Sequence, residues 1–322
     1  MQKIVVNETG GADQLHLVDF ELGAPGAGEA QIKHTAIGLN FIDVYFRTGL
    51  YPAETPFTPG MEAAGIVEQV GEGVTNVKPG DRVVYCGAMG SYSTHRNIPA
   101  DKLVPLPDGV SDDVAAASLL KGLTAHYLLF LTYQLKKGDA MFVQAAAGGV
   151  GSILCQWGKH LGGYVIGAVG SEEKMALAEA NNCDVVINSS KDGFVEKVRE
   201  ATNGKGVRVV YDSLGKDTFE RGLDCLQPHG LMVSYGNATG PVSIPDLGIL
   251  ARKGSLHVVR PMLGAYTSTY EELTNNAKAL FDVIQNGVVK VNIGQKFALK
   301  DIAKAHNALE NRETTGSTII LP

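Results

Sequence analysis

The 322 residues are 44% hydrophobic and 19% charged, the balance of an ordinary globular chain long enough for two domains, which excludes a disordered or fibrous protein. A net charge of −6 argues against a broad nucleic-acid surface, and no apolar run approaches the roughly 20 residues of a membrane span. The N-terminus lacks the basic-then-apolar design of a secretory signal, and Cys86, Cys155, Cys183 and Cys225 are too scattered for a metal lobe, so a cytoplasmic protein with buried thiols is expected.

Residues 1–125 read as a compact β-rich domain. Gln2–Val6, His16–Asp19, Gln31–Ile37, Gly65–Val70 and Arg82–Tyr85 are strand candidates, separated by turn signals such as Gly10–Gly11, Pro59–Gly60 and Pro79–Gly80–Asp81. Then comes an apolar run, Phe142 to Ala147, that ends in Gly148–Gly149–Val150–Gly151 and opens onto an amphipathic segment from Ser152 to Leu161. A strand turning sharply into a helix leaves free backbone N–H groups at the helix start, and glycines there let a dinucleotide pyrophosphate come close. Ala146, Gly148 and Gly151 fall on the G-x-G-x-x-G spacing, with alanine in the first place. Small residues also pack tight strand–helix turns in proteins that bind no nucleotide, so context decides.

The context is an alternation. Strand-like Tyr164–Val169, Asp184–Asn188, Val207–Tyr211 and Leu231–Tyr235 are interleaved with helix-like Glu172–Asn181, Phe194–Thr202 and Asp217–Leu226. Continuous apolar strands alternating with helices are the signature of a parallel sheet buried on both faces, which makes the glycine turn the first βα unit of a Rossmann-type domain. A helix-like run from Lys300 to Arg312 and a last strand, Ser317 to Leu321, follow. That strand is expected to return to the first domain.

Six runs carry a family resemblance: residues 37–51 (IGLNFIDVYFRTGLY), 59–67 (PGMEAAGIV), 80–84 (GDRVV), 121–125 (KGLTA), 145–151 (AAAGGVG) and 210–213 (VYDS). In this order they resemble the zinc-free NADPH:quinone oxidoreductases, the zeta-crystallin-like branch of the medium-chain dehydrogenases/reductases. The resemblance implies an α/β protein with a GroES-like β-rich substrate domain, 1–125 and 266–322, and a Rossmann doubly wound parallel-sheet domain, 126–265, that binds NADPH. It also implies a homodimer. Zinc-dependent relatives carry a ligand cysteine where Asn40 stands and Gly-His-Glu where Gly60–Met61–Glu62 stands. Asparagine and methionine cannot supply the thiolate and imidazole of a catalytic zinc site, and the eight histidines show no ligand spacing, so no metal is expected.

Without a metal to stabilise an alkoxide, the substrate must accept hydride unaided, as quinones and activated enones do. Hydrogen bonds from Asn40, Tyr45 or Tyr51 to a substrate oxygen would stabilise the arriving charge; alternatively Asn40 caps a turn and the tyrosines line the cleft. Asp43 is expected to position the local backbone or ring. For the cofactor, the second Rossmann strand ends at Gly170–Ser171, where an NAD-preferring enzyme places an acid. A small neutral Ser171 leaves room for a 2′-phosphate and Lys174 supplies charge, with Glu172 and Glu173 nearby as a complication. Ser189 stands where relatives often carry a tyrosine that packs by the adenosine phosphate, which weakens the expected NADPH preference. The resemblance adds Asn40, Thr124, Tyr127, Gly148, Gly149, Val150, Leu214, Asn237, Leu263 and Arg312 as cofactor-lining positions. Quinone reduction, reduction of an enone or enoyl thioester C=C bond, and non-catalytic NADPH binding all remain open from these residues, with a small-molecule quinone the expected partner and nucleic acid not expected.

Overall fold

The computed structural model describes residues 1–191 and 193–322. The elements follow one another as β1 (Gln2–Val5), β2 (His16–Asp19), β3 (Glu29–Leu39), α1 (Phe41–Arg47), β4 (Glu62–Val70), β5 (Arg82–Cys86), β6 (His95–Pro99), β7 (Val104–Pro105) and α2 (Asp112–Tyr127). Then come β8 (Ala140–Val143), α3 (Gly149–His160), β9 (Tyr164–Val169), α4 (Met175–Ala180), β10 (Val185–Asn188), α5 (Phe194–Ala201), β11 (Val207–Asp212), α6 (Phe219–Asp224), β12 (Leu226–Ser234), α7 (Gly248–Arg252) and β13 (His257–Val259). The chain closes with α8 (Tyr270–Gln285), β14 (Ile293–Ala298), α9 (Ile302–Glu310) and β15 (Ser317–Leu321).

Two compact units result. One contains Met1–Leu123, Thr267–Gln285 and Val291–Pro322; the other contains Thr124–Tyr266 and Asn286–Lys290. In the first, the strands run β14-β15-β3-β4-β5-β7, with β6 also paired to β3. The C-terminal strand β15 lies antiparallel to β3, with Ile319 opposite Gly38 and Ile320 opposite Ile37. Ile32, Ile37, Val67, Val83 and Ile320 are buried in one core with Ile4, Tyr92 and Ile98, and a register shift in β3 between His34 and Ala36 accompanies the odd spacing of Ile32 and Ile37. Where β3 reaches that core its last residues, Ile37 to Leu39, are buried on both faces, so the strand runs further than alternation alone indicates.

The second unit holds a wholly parallel sheet in the order β10-β9-β8-β11-β12-β13. Counted from its first strand this is 3-2-1-4-5-6, the Rossmann order, which reverses between β8 and β11. Phe142, Ile166, Phe194, Val210 and Met232 fill its core, with the Phe142 and Phe194 rings stacked at 5.9 Å. Strands that are apolar throughout are what a sheet covered on both faces demands.

Several expected boundaries move for local reasons. α3 begins at Gly149 rather than Ser152, because Gly148 is already its N-cap. The segment after β9 opens as a 3₁₀ turn, Glu172–Lys174, before α4 begins. α9 stops at Glu310, and Arg312 adopts a left-handed φ of 62° outside the helix. The expectation that nothing approaches a membrane span in length also needs correction. α2 continues through a π-helical turn, Leu128–Thr132, to form a helix of 21 residues with mean hydropathy 1.5 over its most apolar window, 72% of which is buried. Asp112 and Asp113 stand at its N-terminal end and Lys121 interrupts the apolar run, and its burial is that of a core helix.

Candidate active site

Within the first unit, Asn40 sits where β3 hands over to α1. Its extended backbone, φ −137° and ψ 152°, makes it the N-cap of α1, in a capping box with Asp43. The Asn40 backbone N–H donates to Asp43 Oδ2 at 2.9 Å, and its side-chain Nδ2 donates to Glu62 Oε2 at 2.9 Å. A carboxylate offers only acceptors, so this bond fixes which end of the amide faces Glu62. Glu62, fully buried at the start of β4, also accepts the Leu120 backbone N–H on Oε1 at 2.6 Å and pairs with Lys121 Nζ at 3.3 Å. Asn40 is thus a helix cap, as one reading had it, and its amide is also gripped from the side.

Asp43 is fully buried, and its Oδ1 has no hydrogen-bond partner. Burial pushes its carboxyl up to about 7, helped by Glu62 and opposed by the Asn40 N–H, the Tyr92 hydroxyl and Lys121. Beyond α1, the Tyr51 ring packs edge-on against Tyr45 at 5.2 Å and against Phe46 at 5.7 Å, and its backbone N–H donates to Tyr45 O at 3.0 Å. Aromatic packing and this bond hold Tyr51 firmly on the Gly49–Pro52 loop. Tyr51 also lines an open cavity of about 390 Å³ with Thr9, Gly49, Pro52, Ala53 and Glu54.

In the second unit, the glycine turn, Gly170 with Ser171, Ser189, Leu214, Asn237 and Leu263 all lie just past the C-terminal ends of β8 to β13, the edge where nucleotides bind in such sheets. The turn explains its glycines unequally. A Cβ on Gly151 would come within 2.2 Å of Ala145 O, whereas one on Gly148 would meet that oxygen at 3.2 Å and little else. Gly151 is required by the fold, and Gly148 is not. Gly149 and Val150 form the first helical positions of α3, whose N–H groups have no acceptor within the helix.

At the end of β9 the Ser171 hydroxyl oxygen is buried without a partner, while the space over Gly170 is open. Lys174 sits at the end of the 3₁₀ turn, immediately before α4. Glu172 is turned toward Lys191 and Asn188, at 2.9 and 3.2 Å, and these bonds hold its carboxyl below its usual range. The Ser189 hydroxyl donates to Val169 O at 3.1 Å. Leu214 and Gly215 donate their backbone N–H groups to Asp212 Oδ1, shaping the loop after β11. Arg260 donates to Ser234 O and Gly236 O and, with the Asn237 amide oriented to give Gly236 O its N–H, to Asn237 at 3.0 Å.

Thr124 and Tyr127 lie instead on α2, where the Tyr127 ring stacks on Tyr266 at 4.5 Å. Arg312 belongs to the first unit, in the turn after α9. Sequence reasoning missed Glu62, Lys121 and Gln144. Gln144, 1% exposed, follows β8 at the reversal of strand order, its backbone N–H donating to Tyr211 O while both polar atoms of its side chain lack partners. Its place inside the apolar run before the glycines was the available signal.

Among the described residues no three of His, Cys, Asp and Glu group as metal ligands would. Residues 26–108 match the alcohol dehydrogenase GroES-like domain family, and residues 149–279 match the zinc-binding dehydrogenase family. A quinone oxidoreductase of Salmonella typhimurium is 50% identical over 324 residues, covering 99% of this chain and 99% of that protein. A 2-haloacrylate reductase of a Burkholderia species is 44% identical, covering 99% and 98%. The crystal structure of Escherichia coli quinone oxidoreductase complexed with NADPH matches with a TM-score of 0.98 at 50% identity, covering 100% of both chains.

Proposed function

The chain belongs to the quinone oxidoreductase family of the medium-chain dehydrogenases/reductases, and on that premise we propose that it is an NADPH-dependent reductase of quinones that works without a metal ion. The observation that carries the metal-free part is the environment of Asn40: an amide, not a thiolate, whose N–H is already committed to Glu62, with Met61 in place of an imidazole. We assign the second unit to the cofactor and the first to the substrate. NADPH, when bound, supplies a hydride from its nicotinamide ring.

The residues present fit such a cofactor. Gly149 and Val150 offer N–H groups to the pyrophosphate, and the absence of side chains at Gly148 and Gly149 admits it. The unpartnered Ser171 hydroxyl and the open space over Gly170 suit a 2′-phosphate, with Lys174 as its cation; Ser189, Leu214, Asn237, Leu263, Thr124 and Tyr127 are the further contacts this unit offers. On the substrate side, the second N–H of the Asn40 amide and the Tyr45 and Tyr51 hydroxyls are the donors offered to the quinone oxygen on which charge develops. Asp43 orients Asn40. We read the protein as a cytoplasmic homodimer: its cysteines are free thiols, as in a reducing compartment, and β13 is an edge strand followed by Met262 at 71% exposure, an edge open to a second copy. Sedimentation at the mass of one chain would remove the dimer.

The 44% identity to a 2-haloacrylate reductase favours a second reading, reduction of an activated C=C bond on the same scaffold. NADPH oxidation measured side by side with 1,4-quinones, 2-chloroacrylate, enones and a crotonyl thioester decides between them. Quinones are expected to turn over fastest, with no loss of rate in chelator. A chelator-sensitive rate with stoichiometric bound zinc would overturn the metal-free assignment, and no oxidation with any acceptor would leave an NADPH-binding protein.

A further inference from the structure

Behind Asp43 runs a buried chain of side chains from three separate parts of the first unit. The Tyr92 hydroxyl lies 2.9 Å from Asp43 Oδ2 and 3.0 Å from His306 Nε2. The other ring nitrogen, His306 Nδ1, lies 3.2 Å from Arg47 Nη1, and Arg47 is paired through both outer nitrogens with Glu310, at 2.9 and 2.8 Å. Arg47, Tyr92 and His306 are each at most 1% exposed.

Chemistry fixes the direction of every bond. A guanidinium only donates, so His306 Nδ1 must accept. Burial, with Arg47 adding to it, pulls His306 down to about 3, so the ring is neutral and its one proton sits on Nε2. That N–H donates to the Tyr92 oxygen, which leaves the Tyr92 proton for Asp43. All the donors point toward one carboxylate, with a cation at the far end.

We propose that Tyr92 and His306 are positioning residues for the reaction: through this one-way chain from Arg47 they hold the ionised Asp43 carboxylate in place, and Asp43 in turn holds the Asn40 backbone at the start of α1. The inference rests on the catalytic role given to Asn40. A carboxylate that accepts from two donors on Oδ2 is fixed in rotation, and the charge-assisted bond to Asn40 N–H is at its strongest when Asp43 is ionised. The groups facing Asp43 are Tyr92 and the Asn40 N–H directly, Lys121 from α2 and Glu62 from β4; those facing His306 are Arg47 from α1 and Tyr92.

Tyr92→Phe keeps the ring, which packs edge-on against His306 at 5.7 Å, and removes the hydroxyl that donates to Asp43 and accepts from His306 Nε2–H. Its loss makes ionisation of Asp43 harder, so the acid limb of kcat should move up by about one pH unit, the worth of one hydrogen bond to a charged group. At pH 7 kcat should fall about fivefold with the quinone KM within about twofold, and should recover toward the wild-type value by pH 9. Asp43→Asn should abolish the limb. A fall in kcat equal at every pH, or a limb that persists in Asp43→Asn, would overturn the proposal. A double-mutant cycle of Tyr92→Phe and Asp43→Asn in urea midpoints at pH 8.5 reads the coupling without any substrate: additive effects refute it even if quinones prove not to be substrates, and coupled effects with no quinone turnover would fault the functional reading alone.

Discussion

Asn40 separates two accounts of the site that differ in one bond. If it only caps α1, its replacement costs helix stability of about 1 kcal/mol and leaves the chemistry intact. If its amide also donates to the developing oxyanion, Asn40→Ala should lower kcat and kcat/KM for quinone together, by about 10–100-fold. The grip of Glu62 on Nδ2 favours the second account, because an amide already oriented from one side loses little freedom in offering its other N–H. Tyr51→Phe is expected to act differently. Its ring contacts with Tyr45 and Phe46 survive the change, so quinone KM should rise while kcat stays within about twofold. Stopped-flow hydride transfer at saturating NADPH isolates the step, and an unchanged rate in Asn40→Ala would take Asn40 out of the chemistry.

The glycine turn shows the difference between a residue the fold needs and one the ligand needs. Gly151→Ala drives a Cβ to 2.2 Å from Ala145 O, and backbone cannot yield as a side-chain tip does, so a loss of about 1–3 kcal/mol is expected in urea unfolding. Gly148→Ala meets the same oxygen at 3.2 Å and should fold with near-normal stability, yet bind NADPH at least tenfold more weakly by calorimetry, because the new methyl stands at the pyrophosphate's approach. Wild-type affinity in folded Gly148→Ala would misplace the phosphate. Turns of this kind were legible because glycine spacing and strand–helix alternation are local. α2 was not: its Ala115–Ala116–Ala117–Ser118–Leu119 run is buried all round, and a helix without a polar face has no period to read. α8 was not read from the sequence either, although Glu271 and Glu272 in its first turn and Leu273, Ala277, Leu280 and Phe281 buried on one side make an amphipathic pattern. The chain from Arg47 to Asp43 was beyond reach, since Tyr92 and His306 meet across 214 positions and no local signal joins them.

Across the molecule the buried titratable groups set opposing pH dependences, and their count decides the sign. His34 and His306 are both held at about 3, chiefly by burial, against an ordinary 6.5. As pH falls below 6.5 the unfolded chain takes up two protons that the folded chain refuses, so their contribution is fully present above 6.5 and is lost toward acid. Asp43 works the other way. Raised from 3.8 to about 7, it keeps a proton in the folded state that the unfolded chain releases, so its contribution is lost as pH rises through that window. His126 and His95, lowered chiefly by burial, add to the histidine side, and Asp212, raised by burial, adds to the Asp43 side. Between about pH 4.5 and 6 the lowered histidines outnumber the raised carboxyls, and stability should rise with pH. Removing one partner at a time tests the balance. His306→Gln should be less stable than the wild type at pH 8 with a shallower slope across the window, while Asp43→Asn should steepen the slope. Urea midpoints at half-unit steps of pH measure all three, and parallel slopes would show that neither buried group titrates where its surroundings place it.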